Sequence, residues 1–274
     1  MTIYTAAQTL VKSLANEGVE FVIGLPGVQI MDIYDALLDE LSIRTITVRH
    51  EQTASYMADG FARSTGKIAA ALVVPGPGLQ NASAGIGSAY ASSSPVLLIV
   101  GQVHSADIGK NAGAVHEIVD QLDILNNVTK WKTTIQDPGE IPDAIHEAMR
   151  QLKTGRPRPV AIEIPSDLLP KKMALELPPL EDFKRQAASS DLIRKAASLL
   201  LKAKYPVIWA GGGVNLSDAS HELTTLASVL NSAVIVTAEG KGAISEDDPH
   251  YTGPFYYSHG PAHEVIPKSD VILA

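Results

Sequence analysis

The chain has 274 residues, 45% of them hydrophobic and 19% charged, and a formal net charge of -8. That acidic, ordinary globular composition argues against nucleic acid or an anionic membrane as a partner, and no apolar run approaches the ~18 residues that would span a bilayer. Cysteine is absent, which excludes disulfides and thiolate chemistry; with no basic-then-apolar leader at the N-terminus, a cytoplasmic setting is expected.

In chain order, Thr5 and Gln8 have the spacing of a capping box. Leu10, Val11 and Leu14 then share one helical face up to Gly18, a helix stop. A strand is expected over 19–24, ending at Leu25-Pro26-Gly27, followed by a helix whose apolar stripe is Ile30, Ile33, Leu37 and Leu38. The strand 43–48 leads into a helix at about 51–64, and the strand 68–74 breaks at Pro75-Gly76-Pro77-Gly78. A small-residue helix at about 81–92 and an apolar strand over 96–100 follow. A strand at 130–135, a helix at 141–152 and a strand at 160–164 complete the first half.

Short apolar strands alternating with helices predict an α/β protein: two open parallel-sheet domains with helices on both faces. Residues 1–170 form the first domain. The stretch 171–190, with Pro170 at its door and Pro178 and Pro179 within it, reads as a linker, and 191–274 as the second domain. There Asp191 caps a helix to 201, and a strand over 206–210 meets Gly211-Gly212-Gly213. The last four residues, Val271-Ile272-Leu273-Ala274, read as a buried strand with no helix behind it, so the second domain is expected to be incomplete.

Glu51 lies at a strand-to-helix junction, on the carboxyl edge of a parallel sheet, where ligands of such sheets bind. Two readings stand for an acidic residue there: complement to the helix dipole, worth roughly 0.3–1 kcal/mol, or chemistry. Thr53, Ala54, Ala58, Gly60 and Ala62 give this helix little bulk, and the turns Gly24-Leu25-Pro26-Gly27 and Gly76-Pro77-Gly78 are equally bare. Each turn alone is accounted for by tight-turn chemistry; together they line one sheet edge with backbone.

These segments, namely Gly24-Leu25-Pro26-Gly27, Arg49-His50-Glu51-Gln52 with Ala58-Asp59-Gly60-Phe61-Ala62-Arg63, Gly76-Pro77-Gly78 with Asn81, and Gly101-Gln102-Val103, resemble acetolactate synthase and its thiamine-diphosphate-dependent relatives. The resemblance covers nearly the whole chain. It implies that residues 1–170 are a pyrimidine-binding domain and 191–274 part of a central domain. It implies that Glu51 hydrogen-bonds N1′ of the aminopyrimidine, favouring the imino tautomer that deprotonates thiazolium C2, so that a 2-keto acid can be attacked and decarboxylated. Pro26, Gly27, Val74, Pro77 and Asn81 match positions around the pyrimidine, and Gln102 a position in the pocket. Relatives work as homodimers or homotetramers, with the cofactor diphosphate and Mg²⁺ held by a Gly-Asp-Gly segment followed by paired Asn. This sequence has no such segment, so both ligands need a domain it lacks.

One departure stands out. Where acetolactate synthases have Phe-Gln-Glu, this chain has Val115-His116-Glu117, and related keto-acid decarboxylases carry histidines near this point. His116 is therefore either a proton-transfer residue or a helix-start histidine bonded to backbone. His50 is expected to be structural, and His104 and Lys110 to lie on a mobile loop over 103–113. Gly211-Gly212-Gly213 lacks the third glycine of a dinucleotide fingerprint, position 216 being Leu; FAD binding and a tight turn both remain open, and a nucleotide-linked oxidoreductase does not fit. Near Asp247 and Asp248, His250, His259 and His263 offer only one i, i+4 pair, His259 and His263, in a Pro-, Gly- and Tyr-rich stretch that reads as a surface loop, and no metal site is expected. The reading is the N-terminal part of a 2-keto acid decarboxylase or carboligase; the alternative is a non-catalytic truncated or split subunit that dimerises or complements a partner.

Overall fold

The computed structural model describes residues 2–184, 187–255 and 259–274. The chain forms two compact units, 1–185 and 186–274.

The first unit runs β1 (Ile3–Thr5), α1 (Ala6–Asn16), β2 (Phe21–Gly24), α2 (Met31–Leu38), β3 (Arg44–Thr47), α3 (Glu51–Thr65), β4 (Ala70–Val73), α4 (Pro77–Ala91), β5 (Leu97–Gln102), β6 (Trp131–Thr134), α5 (Ile141–Lys153), β7 (Val160–Pro165) and β8 (Lys172–Ala174). Six strands pair in the order β3-β2-β4-β5-β7-β6, and every pairing is parallel. Strand residues alternate between two cores, as the two-residue period requires. Ala70, Leu72, Leu97, Ile99, Val160 and Ile162 pack with α1, α2 and α5. Ala69, Ala71, Val73, Leu98, Val100 and Ala161 pack with α3 and α4 on the other face. The inner strands are thus buried on both faces, which explains why β4 and β5 are almost wholly apolar while the edge strands β3 and β6 keep polar residues.

The strand order reverses twice. The chain leaves β2 for β3 on one side and returns to β4 on the other. Later β5 pairs with β7, leaving β6 outside at the edge. Each reversal opens a crevice at the carboxyl ends of the strands, the place where open α/β sheets hold ligands.

Thr5 caps α1 with the full capping box: Gln8 N–H donates to Thr5 Oγ1 at 3.1 Å, and Thr5 N–H to Gln8 Oε1 at 3.0 Å. Gly18 takes φ +80 just past the helix, the left-handed stop its position predicted. Three expectations need correction. The small-residue helix starts at Pro77 rather than near 81, because a proline needs no N–H partner in a first helical turn. Leu38 is exposed; the buried stripe of α2 is completed by Ala36 and Leu37 after Ile33. The stretch 171–190 is not linker throughout, since β8 pairs antiparallel with β1, Ile3 opposite Ala174.

The second unit runs α6 (Ser190–Lys202), β9 (Pro206–Ala210), α7 (Gly212–Leu216), α8 (Ser220–Leu230), β10 (Ala233–Val236), β11 (Tyr251–Pro254), α9 (Ala262–Val265) and β12 (Val271–Leu273). Its four strands pair in parallel, in the order β11-β10-β9-β12, with apolar clusters on both faces. Ser189 caps α6, not Asp191, which sits in the first turn and pairs with Arg194. Among the described residues no helix is long and apolar enough to cross a membrane.

Candidate active site

The crevice at the first reversal, between β2 and β4, brings together most of the residues singled out in the sequence. Val48 N–H donates to Gly24 O at 2.9 Å, carrying the chain out of β3 toward α3. His50 is extended and caps α3: its Nδ1 accepts from Gln52 N–H at 3.2 Å. The ring is thereby occupied as a cap, the structural role expected of it. Glu51 follows as the first residue of α3 and is buried, 7% exposed. Its Oε2 accepts from Asn81 Nδ2 at 2.9 Å, which ties the start of α3 to the second turn of α4.

The floor is shaped by one valine and two bare backbones. A Cβ on Gly27 would stand 2.4 Å from Val74 Cγ1, and one on Gly78 would stand 2.5 Å from Val74 Cγ2. No side chain fits at either place. The same Cβ on Gly78 would lie 3.5 Å from Glu51 Oε1, so the carboxylate and the Val74 methyls border one small space. Pro26, Pro77 and Asn81 stand exposed around it.

His116 enters from the long segment after β5. It is not at a helix start, which corrects the alternative reading: it sits in a loop with φ +70. Its Nδ1 is buried with no hydrogen-bond partner among the described residues. Its carbonyl lies against the Gly76 turn, where a Cβ on Gly76 would come within 2.4 Å of it. Gly76 has φ +58, so both space and conformation demand glycine. Two glutamines that the sequence reading passed over hold this arrangement. Gln121, 1% exposed, accepts from Gly76 N–H at 3.2 Å and donates to Gly101 O at 2.8 Å. Gln29, 8% exposed, donates to Val115 O at 3.0 Å. A glutamine gives no periodic signal, so neither could have been found by pattern alone.

Gln102 belongs to the second reversal. Its Nε2 donates to Glu163 Oε1 at 2.8 Å, and its Oε1 accepts from Val103 N–H at 2.7 Å. Both ends of the amide are thus spent inside the protein. Thr134 donates to the other Glu163 oxygen at 2.7 Å. These residues, with Gln121 and Asp120, line a cavity of about 520 Å³ to which Glu51 does not contribute. Burial holds the Glu163 carboxyl above the usual carboxylate range, against the lowering effect of its hydrogen bonds. His104 is exposed, with Nδ1 accepting from Ala106 N–H. In the second unit a Cβ on Gly212 would stand 2.9 Å from Glu239 Cβ, so close packing accounts for one glycine of the triplet. Among the described residues no three His, Asp or Glu side chains gather as metal ligands would.

The family model for the thiamine pyrophosphate enzyme N-terminal TPP binding domain matches residues 4–124. The model for the central domain of the same enzymes matches residues 193–274. The chain belongs to the thiamine pyrophosphate enzymes. It is 38% identical over 277 aligned positions to the probable acetolactate synthase large subunit of Methanocaldococcus jannaschii, covering 98% of this chain and 46% of that protein. It is equally similar to the acetolactate synthase large subunit of Haemophilus influenzae, 38% over 277 positions, with 98% and 48% covered. A probable 2-ketoarginine decarboxylase of Pseudomonas aeruginosa is 37% identical over 272 positions, with the same coverage of 98% and 48%. The chain spans about half the length of the curated relatives it matches.

Proposed function

We propose that this chain supplies the pyrimidine-activating half of a thiamine-diphosphate-dependent enzyme that decarboxylates or carboligates 2-keto acids. The observation that carries the reading is the buried Glu51 carboxylate, oriented by Asn81 beside a floor of Val74, Gly27 and Gly78. The residues fit a flat heteroaromatic ring: apolar methyls and bare backbone would meet its face, and a carboxylate its edge. Thiamine diphosphate, when bound, supplies the electron sink that lets a 2-keto acid lose carbon dioxide. Glu51 would share a proton with the ring nitrogen it faces. Desolvation strengthens that contact, and the Asn81 bond keeps the carboxylate in plane to make it. Pro26 and Pro77 stiffen the turns at the rim. The diphosphate and Mg²⁺ would be held by a region outside this sequence, with two or four copies of the enzyme associated.

Between carboligation and simple decarboxylation, one observation favours the latter. The His116 carbonyl stands against the Gly76 turn, where the acetolactate synthase pattern has glutamine, so this loop carries an imidazole, a group able to accept and donate a proton. The decarboxylase relative is as similar as the synthases.

The test combines this chain with a segment carrying the diphosphate-binding region, adds thiamine diphosphate and Mg²⁺, and follows consumption of pyruvate and of 2-ketoarginine. Glu51→Gln should lower turnover about 10²–10⁴-fold, the range for removing a positioned proton-transfer group. Undiminished turnover in that variant would sink the assignment.

A further inference from the structure

We propose that Gln29 is a positioning residue for His116, its side-chain amide strapping the Val115-His116 peptide across the carboxyl edge of the sheet. The proposal rests on the reading of His116 as a proton-transfer group given above, and adds to it a residue from a different turn.

Gln29 sits in the single 3-10 turn Val28–Ile30 that follows Gly27, on the β2 side of the crevice. Its backbone is locked there: Ile30 is fully buried, Ile30 N–H donates to Gly27 O at 3.0 Å, and the Gly101 backbone packs against Ile30 and Gln29 so closely that a Cβ would meet Ile30 Cγ2 at 2.7 Å and Gln29 Cβ at 3.4 Å. The side chain then crosses to the loop after β5 and donates from Nε2 to Val115 O at 3.0 Å. That peptide joins Val115 to His116. A bond on its oxygen fixes the plane of the unit from which the imidazole departs.

The loop needs such an outside anchor. His116 takes φ +70, a conformation that is strained for an L-residue and persists only when its surroundings impose it. The loop braces itself on one side, where the Glu117 carboxylate accepts from the N–H groups of Ala112, Gly113 and Ala114 at 3.1, 2.7 and 3.0 Å. On the other side the His116 carbonyl abuts Gly76, which Gln121 in turn holds. Gln29 is the link that reaches the loop from the β2 turn. Its Oε1 and His116 Nδ1 are both buried without a hydrogen-bond partner among the described residues. Each is a buried polar atom left unspent on one side of the Gln29–Val115 bond, which packing alone does not account for.

The experiment uses two readouts. In the 274-residue chain labelled with ¹⁵N-histidine, the imidazole signals of His116 are assigned by their loss in His116→Ala and titrated in wild type and in Gln29→Met, which keeps length and removes the donor. The expected result is a moved His116 signal and a shifted titration midpoint in the variant. In the complemented enzyme, Gln29→Met should lower kcat about 10–100-fold with little change in KM, as small misplacements of a reacting group do. The same substitution should have less than about a twofold effect in a His116→Ala background, because the two act through one group. Gln29→Glu, which keeps the shape but loses the donor, serves if the methionine variant fails to fold, and should behave alike. An unmoved His116 signal, or equal losses in both backgrounds, overturns the positioning role. Full activity in His116→Ala with a moved signal in Gln29→Met overturns instead the proton-transfer reading of His116, so the two failures are told apart.

Discussion

Gly85 and Gly87 lie two residues apart on α4 and should answer the same substitution with opposite signs. A Cβ on Gly85 would stand 2.2 Å from Ser55 Oγ, 2.8 Å from Ser55 Cβ and 2.9 Å from Tyr56 N. The hydroxyl can rotate away; the Cβ and the peptide nitrogen can move only if α3 moves. Overpacking of this kind costs about 1–3 kcal/mol, and alanine's better helix propensity returns about 1 kcal/mol. The backbone contact puts the clash at the upper end, so Gly85→Ala should lose about 2 kcal/mol. A Cβ on Gly87 meets only Val128 Cγ1 at 3.6 Å, an ordinary contact, so Gly87→Ala should gain about 1 kcal/mol. At about 2–4 °C per kcal/mol for a domain of this size, the two melting temperatures should differ by roughly 6–12 °C. Thermal unfolding followed by circular dichroism of both variants and the parent decides it. If Gly85→Ala melts at or above the parent, the close crossing of α3 and α4 is not what fixes their spacing. The matter bears on the site, because Ser55 lies one turn below Glu51 and any shift of α3 strains the Glu51–Asn81 bond.

Two further predictions concern pH. Burial raises the native pKa of Glu163 above its unfolded value near ~4.3, so its contribution to stability is full below that pH and is lost as pH rises through the raised native value. Glu163→Gln removes this dependence. The stability of wild type relative to the variant, from urea midpoints, should fall as pH rises above about 4.3; a flat difference refutes the reading. His146 Nδ1 lies 2.6 Å from Glu17 Oε1, and that hydrogen bond is the main cause that raises its pKa, with burial opposing. Its contribution is present below the unfolded value of about 6.5 and is lost as pH rises through the raised native value. Replacing His146 with Gln should flatten the urea midpoint over the window just above pH 6.5, and a parallel pair of curves speaks against the pair.

What could be read from the sequence followed the rules that act locally. The α1 capping box, the Gly18 stop and the Pro75-Gly76 part of the break after β4 need only neighbouring residues and stand where their spacing put them, while Pro77 and Gly78 already belong to α4. The parallel, doubly covered sheets were legible because a strand buried on both faces has no polar side to spare. Glu51, Asn81, Gly27 and Val74 were singled out through the family's motifs, and the fold gathers them at one crevice. What stayed hidden was non-local. The Gln29–Val115 bond spans 86 positions and that between Gln102 and Glu163 spans 61, and neither leaves a periodic trace. Gln102 sat in the right motif, yet the second strand reversal turned its amide toward Glu163. β8 was masked by the prolines that follow it, because a three-residue strand shows no alternation of its own.

The pairing of β1 with β8 also sets an order of events. Ile3 finds its partner only in Ala174, and Ala6 N–H its acceptor only in Lys171 O. At 5–20 residues per second, a ribosome needs roughly 10–30 s to make the intervening chain. For that time the first strand is an unmatched edge, while α1 beside it already carries its own cap. The residues that shape the crevice beside Glu51, from Gly24 to Gln121, are therefore all made before the partner of β1. Within this unit, the first strand to be made waits longest for its partner.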